Sequence, residues 1–124
     1  MSASSGTKTI DKKSFAHADE TRQFDKGKVD VVAVGGTQVG LANFQPGWKW
    51  SECVKPIAQT DSCQAEHLCY FISGWMKVVT DDGTEMEFGP GDMMYLAPGH
   101  DAWTVGDEAC VVVDFLGAKT YARR

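Results

Sequence analysis

Basic clusters, long apolar runs and helical periodicity are what this sequence does not have. Its 124 residues carry 12 lysines and arginines against 17 aspartates and glutamates, a net charge of −5, and its densest basic spot is the terminal Arg123–Arg124 pair. A nucleic-acid or anionic-membrane partner calls for a basic face, so neither is expected. No stretch approaches the roughly 18 apolar residues that span a bilayer. The opening residues, MSASSGTKTIDKKSFAHADE, hold no apolar run of the kind a secretion signal needs. A cytoplasmic protein is the expectation. Cysteine is sparse, and Cys53, Cys63, Cys69 and Cys110 form no CxxC pair. That removes the thioredoxin-like and zinc-ribbon readings and favours reduced thiols over disulfides. Histidine is scarcer still. His17 sits among acidic residues near the start and reads as solvated or locally hydrogen-bonded, which leaves His67 and His100.

What is present is a succession of short strands. The runs VDVVAV, TQVGLANF, WKWSECVK, HLCYFIS, WMKVVT, TEMEF, MMYLA, AWTV and CVVVDF are separated by turn signals such as Gly35-Gly36, Asp81-Asp82-Gly83 and Gly89-Pro90-Gly91-Asp92. Seven to ten such strands, with turns every eight to twelve residues, predict an all-β sandwich or barrel. The chain is long enough for one domain. Residues 1–28 read as a partly disordered lead-in, 29–117 as the barrel and 118–124 as a polar tail able to reach across a partner. In WKWSECVK, alternation would put Trp48, Trp50, Glu52 and Val54 on one face and Lys49, Ser51, Cys53 and Lys55 on the other. In HLCYFIS it would put His67, Cys69 and Phe71 together, opposite Leu68, Tyr70 and Ile72.

The stretch from Pro46 to His100 concentrates the unusual residues, and its motifs resemble those of the cupin superfamily. The usual first cupin motif is a glycine, five residues, His-x-His, a short gap, a glutamate, six residues and a glycine. Here Gly47 is followed by five residues and Cys53-Val54-Lys55, and His67 by six residues and Gly74. Cys53 and Lys55 thus stand where the paired histidines usually stand, and His67 stands for the glutamate. Pro56 to Glu66 becomes an inserted loop at the pocket mouth. The second motif is represented by Gly91 to His100, with His100 two residues early. A closer likeness joins the chain to small single-domain cupins carrying GWKWSE, VKP, a TDSC-type loop, HxxYxxSG, DDG and PGHDAW. In those a histidine is expected at the position of Cys53.

The resemblance implies an all-β double-stranded β-helix, the cupin jelly-roll barrel, with a pocket inside it. It implies a divalent transition metal (zinc, iron, nickel or copper) held by Cys53, His67 and His100, since imidazole and thiolate suit such ions. The alternative is a metal-free barrel whose histidines are hydrogen-bonded core residues and whose Cys53 is a small buried thiol. Cys63 reads either as a reactive thiol at the mouth or as one tucked under the loop, and Cys69 as an alternative sulfur ligand. Tyr70, Tyr95 and Lys55 are the acid/base candidates, and Trp103 is the tryptophan expected nearest the site. Asp114, a carboxylate inside an apolar strand, requires a partner such as Lys55 or a pocket histidine. Two functions follow: a metal-dependent oxygenase, isomerase or lyase acting on a small organic molecule, or a binding or sensory module that holds a small molecule without turnover. Pairing of sheets into a homodimer is expected in either case.

Overall fold

Valines at alternate positions of the first long strands set one face against water and the other against the core. In the computed structural model, which describes residues 9–122, Val29 and Val31 are buried while Lys28 and Asp30 between them are half-buried or exposed. Nine strands form: β1 (Glu20–Phe24), β2 (Gly27–Val34), β3 (Thr37–Phe44), β4 (His67–Ser73), β5 (Trp75–Thr80), β6 (Glu85–Phe88), β7 (Met93–Leu96), β8 (His100–Val105) and β9 (Cys110–Asp114). They build a six-stranded antiparallel sheet in the order β1-β2-β3-β9-β4-β7 and a three-stranded sheet in the order β6-β5-β8. One hydrophobic core joins the two, with Phe71, Val112 and Cys110 from the first sheet and Met76, Val78 and Ala102 from the second. The architecture is the jelly-roll arrangement expected.

Turn chemistry fixes the register where the sequence signals it. Gly35 and Gly36 both take positive φ (57° and 81°) and join β2 to β3, the backbone twist that a two-residue hairpin needs. At Gly89-Pro90-Gly91-Asp92 the Asp92 N–H donates to the Gly89 carbonyl at 3.0 Å, with Gly91 at φ 89°. The Asp92 carboxylate accepts the Gly89 N–H at 2.8 Å. Proline followed by a positive-φ glycine is the composition of a type II turn.

Three expectations are corrected here. The lead-in is part of the fold from Glu20 onward, because β1 pairs with β2 from Glu20↔Val31 to Phe24↔Gly27; the residues before Thr9 lie outside the described part. The segment WKWSECVK is no strand. After a lone bridge between Lys49 and Trp103 it coils into two single-turn helices, α1 (Trp50–Cys53) and α2 (Lys55–Ala58), with proline in the first turn of α2. Proline is at home there because its missing N–H is one that the helix start leaves unbonded anyway. The alternating faces predicted for this segment are therefore absent, and Trp48 and Trp50 are both buried. The C-terminal tail folds back on its own barrel. Ala118, Tyr121 and Ala122 are buried, and the buried Arg22 guanidinium on β1 donates from Nη1 to the carbonyls of Ala118 (2.6 Å) and Tyr121 (2.9 Å). We call residues 117–122 the C-terminal strap. No helix among the described residues is long and apolar enough to cross a membrane.

Candidate metal centre

Strand β4 delivers His67 and Cys69 to the interior by the predicted alternation, with Phe71 beyond them and Tyr70 and Ile72 outside. Strand β8 opens with His100, also buried. Between them the loop after α2 is stitched to β8: the Cys63 N–H donates to the His100 carbonyl and the Gly99 N–H to the Cys63 carbonyl, both at 2.7 Å. This bridge sets Cys63 beside the two imidazoles. One ligand atom from each of Cys63, His67 and His100 lies within 4.8 Å of the other two, and all three residues are buried.

The imidazoles are held by their far nitrogens. His67 Nδ1 lies 2.5 Å from Asp114 Oδ2, and His100 Nδ1 lies 2.8 Å from the Ala97 carbonyl. A carbonyl oxygen only accepts, so His100 carries its proton on Nδ1 and keeps the Nε2 lone pair. Asp114 imposes the same tautomer on a neutral His67. Its other oxygen accepts the N–H groups of Leu116 (3.1 Å) and Gly117 (2.8 Å), so the carboxylate is fully engaged as an orienting group. A histidine whose second nitrogen is tied to a carboxylate or carbonyl is the usual state of a metal-binding imidazole. The donor set therefore fits an ion.

Electrostatics agree with the geometry. Burial alone would raise the Cys63 thiol, but hydrogen bonds from His100 and His67 outweigh it and bring the group down to about 6. Burial would lower His67; its hydrogen bonds to Asp114 and the neighbouring thiols overcome that and raise it. Asp114 is held below its ordinary value, chiefly by His67 working against burial. A second triad, His67, Cys69 and Asp114, also has ligand atoms within 4.8 Å of one another. It is the poorer site. Burial raises the Cys69 thiol, and Asp114 is already committed to three donors. Cys63 is the sulfur prepared as a thiolate.

The structure brings His67 and His100 together and leaves Cys53 out. Cys53 ends α1, and its Sγ lies 3.8 Å from Asp25 Oδ2; it belongs to neither ligand group. The helical coiling of residues 50–58 is the reason, since it removes the strand on which the motif alignment placed Cys53 and Lys55. The acid/base candidates are likewise elsewhere. Tyr70 is on the outer face of β4, Tyr95 is 60% exposed with its hydroxyl on Glu66 Oε2 at 2.6 Å, and Lys55 opens α2. None of the three lines the interior cavity. Trp103 faces out, beneath the ammonium groups of Lys49 and Lys77 at 5.2 and 5.9 Å from its ring centre.

That cavity, about 50 Å³, lies against His67, His100, Cys69 and Asp114 and is walled by aromatic and aliphatic groups, among them Phe44, Trp48, Trp50 and Tyr121. Tyr121 is the residue that sequence reasoning missed. Its ring meets His67 edge-on at 5.5 Å and packs with Phe24 and Phe44. Its hydroxyl finds no partner among the described residues, a deficit worth about 1–3 kcal/mol for a buried polar group. Burial also raises that hydroxyl well above its ordinary value, keeping it neutral. Only an apolar alanine and an aromatic residue inside a tail otherwise rich in charge signalled that the strap docks.

A β-barrel enclosing two oriented imidazoles and a cysteine sulfur defines a small barrel protein with an interior His/Cys group of the kind that can hold a metal ion. The profile of the EutQ-like cupin domain family matches residues 48–120, and the chain belongs to that family. No curated protein sequence matches the chain. Among solved structures it is similar to a protein of unknown function from Rhizobium leguminosarum bv. viciae 3841, with 19% identity, 86% of this chain and 95% of that one covered, and a TM-score of 0.62. A protein of unknown function from Acinetobacter sp. ADP1 superposes with 16% identity, coverage of 79% and 90%, and a TM-score of 0.58. The oxalate decarboxylase of Lactobacillus farciminis, solved as a formate complex, matches with 19% identity, 82% of this chain and a TM-score of 0.55; this chain spans 32% of its length. At these identities the likeness establishes a shared fold.

Proposed function

We propose that this cupin holds one divalent transition ion on Cys63, His67 and His100 and works on a small organic molecule at that centre. The observation that carries the reading is the pair of Nδ1 contacts, to Asp114 and to Ala97, which leave the Nε2 atoms to face the Cys63 sulfur, where a bound ion would take the place of the proton that ring and thiol share. Thiolate plus two imidazoles suits zinc, iron, nickel or copper, and three protein donors leave positions open. Such an ion, when bound, polarises a carbonyl or activates water or dioxygen. The chain's own contribution is orientation and exclusion. Asp114 fixes the plane and tautomer of His67, the Ala97 carbonyl does so for His100, and the aromatic walls keep bulk water away. Oxygenase, isomerase and lyase chemistry all remain within its reach.

A second reading, a binding or sensory module without turnover, is favoured by the cavity wall itself. Its titratable groups other than Tyr121 and Cys69 are already committed to the centre, and none of the expected acid/base residues lines it. In both readings the protein works in the reducing cytoplasm, consistent with four buried free cysteines, and pairs into a homodimer through exposed Tyr70, Ile72, Met93 and Tyr95 on neighbouring strands β4 and β7. Elemental analysis of protein purified without chelator tests the centre. One ion per chain is expected, retained in Cys53→Ser and lost in Cys63→Ser. Wild-type protein with no bound ion would refute it.

A further inference from the structure

Three alanines, Ala42, Ala102 and Ala118, stop short where longer side chains would have met across the barrel, and they line the inner cavity of about 50 Å³. They come from different parts of the fold: β3, β8 and the C-terminal strap. Folded interiors hold few voids larger than a water molecule, and this one touches the rings of His67 and His100. One water needs roughly 10–15 Å³, so by volume there is room for about two to four heavy atoms. An ordinary small-molecule pocket, at about 300–1,000 Å³, is several times larger.

Water would find little to bond in this space, since a buried water needs about two to four polar partners. His67 Nδ1 and Asp114 Oδ2 are bonded to each other, the second Asp114 oxygen accepts the N–H groups of Leu116 and Gly117, and His100 Nδ1 is bonded to the Ala97 carbonyl. The Nε2 side of His67 is turned to Cys63, which does not line the cavity. The Trp48 indole nitrogen and the Tyr121 hydroxyl have no partner among the described residues, but both atoms are covered by their neighbours. The remaining wall is aliphatic, aromatic or sulfur, with Val29, Met94 and Val112 among its members. An apolar cavity of this kind stays dry and takes up apolar guests such as xenon. A guest gains the dispersion contacts that the void leaves unmade and gives up no hydrogen bond in entering.

We propose that the inner cavity is a dry site for an apolar guest of about two to four heavy atoms, the class to which dissolved gases such as dioxygen belong, held against the two imidazoles. This guest is distinct from the organic molecule of the reading above, for which the cavity is too small. Only what the guest meets at His67 and His100 rests on the metal reading. The binding itself follows from the shape and chemistry of the wall.

Four valines supply the test. Val29, Val31, Val78 and Val112 are each 3% exposed, yet of these only Val29 and Val112 line the cavity. Their methyl relaxation is measured in the isotope-labelled full chain under dioxygen and under argon, and the difference reports where the paramagnetic gas resides. Val29 and Val112 should gain at least about threefold more relaxation than Val31 and Val78, because an apolar cavity concentrates the gas. Xenon, which is inert towards thiols, should shift the methyl signals of Val29 and Val112 saturably. Equal relaxation of all four valines, or cross-peaks from Val29 or Val112 to a long-lived water, overturns the proposal. Ala102→Val should fill the void and bring Val29 and Val112 down to the level of the other two; an unchanged gain in the folded variant overturns the location. Should that variant fail to fold, Ala42→Val replaces it, and the wild-type comparison decides the binding on its own. The measurement is made on protein as purified and again after chelator treatment. Gas uptake in both samples, with no ion found by elemental analysis, would sink the metal reading and leave the cavity site standing.

Discussion

At the proposed centre the part played by Asp114 can be tested alone. Asp114 orients His67 and balances its charge, so Asp114→Asn should weaken metal binding about 10- to 100-fold, the usual effect of losing a carboxylate behind a ligating histidine, read by competition with a chromogenic chelator. In the stripped protein the same substitution has a pH signature. His67 is raised above 6.5, so its share of the pair's stability is full below 6.5 and is lost as pH rises through the raised value. Asp114 is lowered below 3.8, so its share is present above 3.8 and is lost as pH falls through the depressed value. The stability deficit of Asp114→Asn, about 1.5–3 kcal/mol for a hydrogen bond to a charged group, should therefore be greatest between pH 3.8 and 6.5 and shrink on either side. Denaturant titrations across that range decide it; a deficit independent of pH would mean the pair is not ionised. Asp114 was foreshadowed by its neighbours, because a carboxylate among valines requires a partner. Nothing comparable marked Cys63 over Cys53, since both are single thiols and the choice depends on which one the loop brings to β8.

At the level of elements, β7, β8 and β9 follow period-two alternation and β4 buries His67, Cys69 and Phe71 at alternate positions, whereas the segment expected as a strand at residues 48–55 does not form one. WKWSECVK alternates apolar and polar residues, yet it carries Pro56 just beyond it, and a proline after a short polar run marks a helix start as readily as a strand end. What coils it is tertiary: a continued strand would have put Glu52 on the buried face with Trp50 and Val54, whereas one turn of helix buries Trp50, Cys53 and Val54 and leaves Glu52 exposed. The junction between β9 and the strap is equally constrained. Gly117 lies so close to Asp114 and His67 that an added methyl group would overlap the carboxylate oxygen and the ring. Gly117→Ala should destabilise by about 1–3 kcal/mol, the range for overpacking, and should reduce metal content as well, because the only way to relieve the clash is to move the orienting pair. Thermal unfolding alongside elemental analysis reads both. A variant with full stability and a full metal complement would show that this junction tolerates displacement.

For the whole molecule, the outer face of β4 and β7 is the feature that the barrel leaves unexplained. Tyr70, Ile72, Met93 and Tyr95 stand 41–60% exposed at an open sheet edge, where unpaired backbone and apolar side chains invite association. Sedimentation should give twice the 13.5 kDa chain mass, and Tyr70→Lys should return the monomer with its metal content unchanged; a wild-type monomer would remove the dimer. By itself the sequence determined the barrel, the inward face of β4 and the inclusion of His67 and His100, because period-two alternation and glycine-bearing turns are local properties written into neighbouring residues. Only the tertiary structure decided which sulfur meets the two histidines, the fate of the 50–58 segment and the strap. Those depend on which distant segments meet: Cys63 against His100, Arg22 against the carbonyls of Ala118 and Tyr121. No local pattern encodes such a meeting, because its free energy comes from burying both partners together.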